Sequence, residues 1–131
     1  MITAVYRRTL NGHEPNWSEK ADRPRDLSKS LIALWAKTDP KLVKGDEGPV
    51  DFSVIADTNG LTLKAFSLKP EKQDDRTATI AATLIYKEGN PRPEPSIVRY
   101  DLVREDGEWK IDEIRGKNWS VRNMLTQFLK E

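Results

Sequence analysis

Residues 97–114 read Ile-Val-Arg-Tyr-Asp-Leu-Val-Arg-Glu-Asp-Gly-Glu-Trp-Lys-Ile-Asp-Glu-Ile, and this stretch decides the fold. Two runs of alternating apolar and polar residues meet at Asp106-Gly107, a dipeptide typical of the two-residue turn of a β-hairpin. Both residues of such a type I′ turn need a positive φ angle, which Gly adopts freely and Asp tolerates. The stretch therefore predicts two antiparallel strands joined by a tight turn.

Counting back from the turn gives the predicted pairing of the two strands. The opposed pairs are Arg104 with Trp109, Leu102 with Ile111, and Tyr100 with Glu113. Because side chains alternate across a strand, Val98 shares one face with the apolar members of these pairs. Glu113 falls on that same face, so the pattern predicts a carboxylate among apolar neighbours. Enough apolar residues share this face to form part of a hydrophobic core.

Helical patterns occupy both ends of the chain. Residues 2–10 predict a short helix that ends at Asn11-Gly12, and residues 25–38 predict a longer one that ends at Asp39-Pro40. Trp17 is expected to hold the proline-containing connector between these two helices against the body. Ser120 is expected to cap a final helix, whose apolar residues recur every three or four positions.

Strand patterns occupy the middle of the chain. A short apolar segment at residues 51–56 precedes two runs of period two, at residues 61–68 and 77–86. Residues 87–95 contain three prolines and predict a long loop before the opening hairpin. Helices followed by consecutive strands predict an α+β fold of one domain, residues 1–131, with helices packed on an antiparallel sheet of four or five strands.

Composition restricts the possible chemistry. The chain has 22 basic and 21 acidic residues, and this dispersed charge disfavours the clustered basic face of a nucleic-acid-binding protein. The absence of Cys and the single His leave no recognisable zinc site. No apolar run approaches the roughly 18 residues of a membrane-spanning helix. We therefore expect no metal, no cofactor, no nucleic-acid partner and no membrane span.

The hairpin and the residues after it resemble a known family. Residues 100–114, followed by Trp-Ser-Val-Arg-Asn-Met-Leu at residues 119–125, are similar to the C-terminal signature of a bacterial family catalogued as domain of unknown function 3828. The helix at residues 27–38, the Gly-Asp-Glu-Gly loop at residues 45–48 and Val-Asp-Phe at residues 50–52 resemble the middle block of that family. Where the family tends to show a Gln-Asp pair after Asp51, this chain has Thr58-Asn59.

The resemblance implies that the chain belongs to the nuclear-transport-factor-2-like, or cystatin-like, superfamily. It implies a curved antiparallel sheet that wraps N-terminal helices into a cone with an interior pocket. It also implies export to the periplasm or the medium. The first eight residues lack the pattern of a signal peptide, so a leader would have preceded Met1, and a cytoplasmic location is the alternative.

Five residues are candidates for lining a ligand pocket, and they are Tyr6, Trp35, Tyr100, Trp109 and Glu113. Aromatic side chains at these spacings also serve as ordinary core residues. Glu113 could bind a polar ligand or move a proton, because carboxylates in apolar surroundings are frequent at functional sites. If Glu113 instead lies at the rim of the sheet, its carboxylate would only form a hydrogen bond with the Tyr100 hydroxyl or with water. Arg104 opposite Trp109 predicts a cation–π contact.

Paired carboxylates can act as an acid and a base when they share a proton. Asp101 and Asp112 are predicted to oppose each other on the other face of the hairpin. Arg99 and Lys110 lie within reach on that face, so the pattern favours solvated ion pairs over a catalytic pair.

Two segments are candidates for contact with a protein partner. An acidic loop contributes Asp46, Glu47 and Asp51, and the proline-rich tip at residues 90–95 contributes Arg92 and Glu94. The acidic loop lacks both the Lys-Ser/Thr ending of a phosphate loop and the spacing of a calcium-binding EF-hand. A contact surface or a loop-organising role is therefore expected there.

No nucleophile, acid–base pair or metal set is recognisable, which favours a non-catalytic binding protein over an enzyme. We expect an exported protein, monomeric or homodimeric, that takes a small ligand in the cone or a protein partner on its surface. An immunity or inhibitor protein against a bacterial toxin is one alternative. The other is a small-molecule isomerase or dehydratase that uses Glu113 as its base with help from Tyr100, by analogy of fold.

Overall fold

The computed structural model describes residues 1–42 and 48–131 of the chain. Its helices are α1 (Ile2–Leu10), α2 (Arg23–Asp26), α3 (Lys29–Thr38) and α4 (Val121–Lys130), with 3-10 turns at Lys20–Asp22 and Asp39–Lys41. Its strands are β1 (Leu63–Gln73), β2 (Thr77–Tyr86), β3 (Ser96–Glu105) and β4 (Glu108–Arg115). The predicted α+β class is confirmed, with an N-terminal helical region, a four-stranded antiparallel sheet and a short C-terminal helix.

The sheet follows the order of the chain, β1-β2-β3-β4, and each strand is antiparallel to the next. Asp106 has a φ of 52° and Gly107 a φ of 80°, so the predicted turn between β3 and β4 is confirmed. Leu102 pairs with Ile111, as predicted from the turn. Next to the turn, the Arg104 guanidinium lies 4.5 Å from the centre of the Trp109 ring, which confirms the expected cation–π contact.

Further from the turn the predicted pairing is wrong, because β4 contains a bulge. The register shifts between Asp101 and Leu102, so that Tyr100 pairs with Ile114 and Asp101 with Glu113. In a straight strand, Ile111 and Ile114 would point to opposite faces of the sheet. An extra residue at position 112 brings both isoleucines to the core face, where each is 0% exposed. The predicted pairs of Tyr100 with Glu113 and of Asp101 with Asp112 therefore do not form.

The predicted helix at residues 25–38 is interrupted after α2. Leu27 is extended, with φ −97° and ψ 150°, and the Ser28 N–H donates to the Ile111 carbonyl of β4 over 2.8 Å. The Ser28 hydroxyl then caps α3 by accepting a hydrogen bond from the Leu31 N–H over 3.0 Å. The hydrogen bond to β4 and the new cap together replace the helical hydrogen bonds that a continuous helix would have made.

Two strand predictions are also corrected. Residues 51–56 form no strand, because only an isolated antiparallel bridge joins Ser53 to Thr58. Strand β1 spans Leu63–Gln73 and continues past Pro70, instead of ending at residue 68 as predicted. Pro70 is tolerated there because β1 lies at the edge of the sheet and a second register shift follows between Pro70 and Lys72.

The hydrophobic core lies between the helices and one face of the sheet. Its largest fully buried side chains are Trp35, Tyr6, Tyr100, Leu27, Leu31, Ile55, Ile111, Ile114 and Leu125. Trp17 is also buried, so the predicted attachment of the connector between α1 and α2 is confirmed. In the part of the chain that the structure describes, no helix combines the length and the apolar character needed to cross a membrane.

Candidate binding groove

Two of the predicted pocket residues, Tyr6 and Tyr100, form a buried hydrogen-bonded pair. Their hydroxyl oxygens are 2.8 Å apart, and the Tyr6 hydroxyl is 2.8 Å from the Ile55 carbonyl oxygen. Because a carbonyl only accepts, Tyr6 donates to Ile55 and Tyr100 donates to Tyr6. Phe66 stacks on Tyr6 with 5.0 Å between ring centres. These side chains occupy the space between α1 and the sheet.

Glu113 lies apart from this pair, at the first turn of α4. Its Oε1 accepts hydrogen bonds from the backbone N–H groups of Ile114 over 2.9 Å and Arg122 over 3.1 Å. A carboxylate at the start of a helix satisfies one of the N–H groups that lack a helical partner. The structure therefore gives Glu113 a helix-capping position and does not bring it beside Tyr100.

The predicted partner-contact residues fall in three places. Asp46 and Glu47 lie outside the described residues, and Asp51 is exposed. At the proline-rich tip, Arg92 donates to Asp57 over 3.1 Å, and Glu94 accepts from Lys117 over 2.6 Å. Both charged residues of the tip are thus attached to the body of the protein.

A surface groove lies between the connector at residues 14–18 and the loop at residues 50–62. One cavity of about 570 Å³ is lined by Glu14, Pro15, Asn16, Trp17, Ser18, Trp35, Val50, Asp51, Phe52, Ser53, Val54, Ile55 and Asn59. A second cavity, of about 560 Å³, shares Glu14, Ser53 and Asn59 with the first. We call the two cavities together the groove, and its two irregular segments the connector wall and the loop wall.

Buried polar contacts from Arg23 hold the connector wall. Its Nε donates to the Trp17 carbonyl over 2.7 Å, and its Nη2 donates to the Ser18 carbonyl over 3.2 Å. The Trp17 indole N–H in turn donates to the buried Asp26 carboxylate over 3.1 Å. The connector has no regular hydrogen-bond ladder at this point, so these side chains determine its course.

An ion pair orients Arg23 itself. Its two terminal nitrogens lie 2.9 and 3.0 Å from the two carboxylate oxygens of Asp39, and its guanidinium lies 5.3 Å from the Trp35 ring centre. The hydrogen bonds from Arg23 lower the pKa of Asp39, and burial opposes this shift only in part. The pair is two-pronged, which makes the direction of the guanidinium specific.

The loop wall is held from beneath by three side chains of the core and its edge. Tyr6 donates to the Ile55 carbonyl, and Tyr86 donates to the next carbonyl, that of Ala56, over 2.5 Å. The Trp119 indole N–H donates to Asp57 over 2.9 Å. Asp57 has a φ of 50°, a conformation that a non-glycine residue adopts only when its surroundings favour it.

Ser53 connects the two walls. Its hydroxyl donates to the Glu14 carboxylate over 2.7 Å and accepts from the Ala56 N–H over 3.0 Å. The groove is therefore bounded by two segments that are each tied to the core and also tied to one another. Sequence reasoning missed Glu14, Ser53 and Asn59, because irregular segments carry no periodic pattern that would bring them together.

Within residues 1–42 and 48–131, no group of three or more His, Cys, Asp or Glu side chains is arranged to hold a metal ion. No family model matches the chain, and comparisons with curated proteins and with solved structures find no match. The protein therefore has an α+β fold with a four-stranded antiparallel sheet, and the groove is its candidate binding site. The resemblance to domain of unknown function 3828 stays a prediction from the residues.

We expect the three tyrosines of the chain to ionise only when the protein unfolds. Burial raises the pKa of Tyr6, Tyr86 and Tyr100 above the ordinary value of 10.0. Because the folded pKa exceeds the unfolded one, this contribution to stability is complete below about pH 10 and is lost as the pH rises further. An alkaline titration should show phenolate absorbance only as the circular dichroism signal is lost, and absorbance of more than one phenolate in the folded protein would contradict the buried pair of Tyr6 and Tyr100.

Proposed function

We propose that the protein is a non-catalytic binding protein and that the groove holds its ligand. One observation carries this proposal, namely that both walls of the groove are irregular segments tied down by buried hydrogen bonds. A site that is ordered before the ligand arrives loses little conformational entropy on binding. The cavity of about 570 Å³ also lies within the range of roughly 300–1,000 Å³ usual for small-molecule sites.

The proposal includes a nuclear-transport-factor-2-like cone whose interior is filled. The α+β architecture with helices on one sheet face supports such a cone, and the contacts of Tyr6 with Tyr100 and Phe66 support a filled interior. The groove at the side of this packed interior then takes over the role of the pocket. Export to the periplasm, which the family resemblance implies, is part of the same proposal.

The structure gives less support to a partner-binding immunity protein. That alternative would use the acidic loop at residues 45–51 and the proline-rich tip. Asp46 and Glu47 of the loop lie outside the described residues, and at the tip Arg92 and Glu94 already pair with Asp57 and Lys117. The isomerase alternative needs Glu113 beside Tyr100, whereas Tyr100 pairs with Ile114 and Glu113 caps α4. The groove is the site to which the contacts of the described residues point.

A nuclear magnetic resonance screen of small polar compounds against the nitrogen-15-labelled protein tests the groove as a site. Asn59 is exposed and lines both cavities, so Asn59→Trp should fill the groove without disturbing the core. Gln127→Trp, on the exposed side of α4, is the matched control. We expect shift changes at residues 14–18 and 50–59 that Asn59→Trp abolishes and Gln127→Trp retains.

Two results would contradict the proposal. One is a set of ligands whose shift changes lie elsewhere, for example in a separate cleft lined by Ile2 of α1, Leu68 of β1 and Trp109 of β4. The other is binding at the groove that Asn59→Trp leaves unchanged.

A further inference from the structure

We propose that the ligand of the groove is an organic cation, a primary ammonium or guanidinium group attached to an apolar body. This inference rests on the proposed function and names the chemical class that the groove would select. The first cavity is lined by two carboxylates, those of Glu14 and Asp51, and none of its described lining residues is Lys, Arg or His. In the second cavity the one described cationic residue is Lys87.

The charge of the first cavity contrasts with that of the whole chain. The chain carries 22 basic and 21 acidic residues, yet both charged residues in the described lining of this cavity are acidic. Arg23, which holds the connector wall, does not offset them, because it is buried and pairs with Asp39. The two negative charges thus attract a cation that enters the cavity and repel an anion.

Polar and apolar groups line the cavity together with the carboxylates. The amide oxygen of Asn59 can accept a hydrogen bond from an ammonium or guanidinium group, which has donors and no acceptors, and that of Asn16, which already accepts from the Ser18 N–H over 3.2 Å, has a second lone pair. Val50, Phe52 and Val54 line the same cavity with apolar side chains. This lining matches a ligand with a cationic head and a compact apolar body.

A hydrogen bond fixes the position of the Glu14 carboxylate. Ser53 donates to one of its carboxylate oxygens over 2.7 Å, which orients the carboxylate at the place shared by both cavities. The Ser53 hydroxyl is itself held by the Ala56 N–H of the loop wall. Glu14 is therefore a positioned charge, and substitution with Gln keeps an oxygen that can still accept from Ser53.

Benzylamine, benzyl alcohol and benzoate form a matched set of probes, because they differ in charge and share one apolar body. We expect benzylamine, titrated against the labelled protein at pH 7, to shift residues 14–18 and 50–59 and to bind about tenfold tighter than benzyl alcohol. Benzoate should not bind there. Glu14→Gln and Asp51→Asn should each lower the affinity for benzylamine about threefold to fivefold and leave the affinity for benzyl alcohol unchanged.

Glu108→Gln is the control, since Glu108 is an exposed carboxylate in the β3–β4 hairpin and lines neither cavity. Raising the salt concentration should weaken the binding of benzylamine and leave the binding of benzyl alcohol unchanged, because salt screens exposed charges. The peptide acetyl-Gly-Arg-Gly-amide forms the second arm. Tighter binding of this peptide than of benzylamine would identify a basic side chain of a partner as the source of the cation, and the reverse would identify a free amine.

The outcomes separate this inference from the proposed function. Equal binding of benzylamine and benzyl alcohol in the groove, or preference for benzoate, would overturn the cation inference and keep the groove as a site. The cation inference would also be overturned, and the groove kept as a site, if all groove ligands from the compound screen were neutral or anionic. Failure of every compound to bind in the groove would overturn both.

Discussion

Arg23→Ala should destabilise the protein by about 3 kcal/mol, because it removes a buried cation and leaves the partly buried Asp39 carboxylate and two carbonyl groups without their donor. Arg23 is 2% exposed, and its guanidinium makes four hydrogen bonds, two to Asp39 and one each to the carbonyls of Trp17 and Ser18. The alanine variant leaves all three acceptors without this donor. Urea unfolding followed by circular dichroism measures the change.

Arg25→Ala is the matched control, since Arg25 lies two residues away and its side chain is 52% exposed. Its contacts with the buried Asp26 carboxylate are long, at 3.3 and 3.4 Å, and Asp26 keeps its hydrogen bonds from Arg8 and Trp17 in the variant, so we expect a change within about 0.5 kcal/mol. Arg23→Lys should restore little of the lost stability, because an ammonium group cannot form the two-pronged bond to Asp39 and the two carbonyl bonds together. Equal effects of Arg23→Ala and Arg25→Ala would show that the connector wall is not held in this way.

The Arg23 effect should also depend on pH. The hydrogen bonds from Arg23 lower the pKa of Asp39 from its ordinary value of 3.8. A lowered folded pKa means that the stabilisation is present above the unfolded pKa and is lost as the pH falls below it. The difference in unfolding free energy between the native protein and Arg23→Ala should therefore narrow below about pH 4. A difference that stays constant through this range would contradict the ion pair.

Gly116→Ala should lower the free energy of unfolding by about 2–4 kcal/mol and should also loosen the loop wall. A Cβ atom at position 116 would overlap the Trp119 indole, so the indole has to leave its place. Its departure breaks the hydrogen bond to Asp57 and the edge-to-face contact with Phe52, whose ring centre is 5.1 Å away. Thermal unfolding measures the cost, and the amide signals of residues 52–58 report the loosening.

Gly60→Ala is the control, because a Cβ atom at position 60 meets nothing within 4 Å. Gly60 also has no positive φ, so alanine there should be neutral or slightly stabilising. In a Trp119→Ala background, Gly116→Ala should cost far less than in the native protein, since the clashing indole is gone. Strictly additive costs would show that the effect of Gly116→Ala does not pass through Trp119.

Local chemistry was sufficient to predict several elements from the sequence. The bounds of α1, those of β2 and the position of the β3–β4 turn follow from periodicity and from turn residues close in the chain. The Ser120 cap of α4 is equally local, because its hydroxyl accepts from Asn123 three residues later. Each of these features depends on interactions within a few positions of one another.

The sequence by itself thus determined the class of fold, the hairpin and the helix at each end. Only the tertiary structure decided the bulge in β4, the break between α2 and α3, and the groove. The reason is physical, since each of these features depends on a hydrogen bond or a packing contact between residues far apart in the chain. Ser28 leaves the helix because Ile111 accepts its N–H, and the loop wall keeps its course because Tyr6, 49 positions away, donates to Ile55.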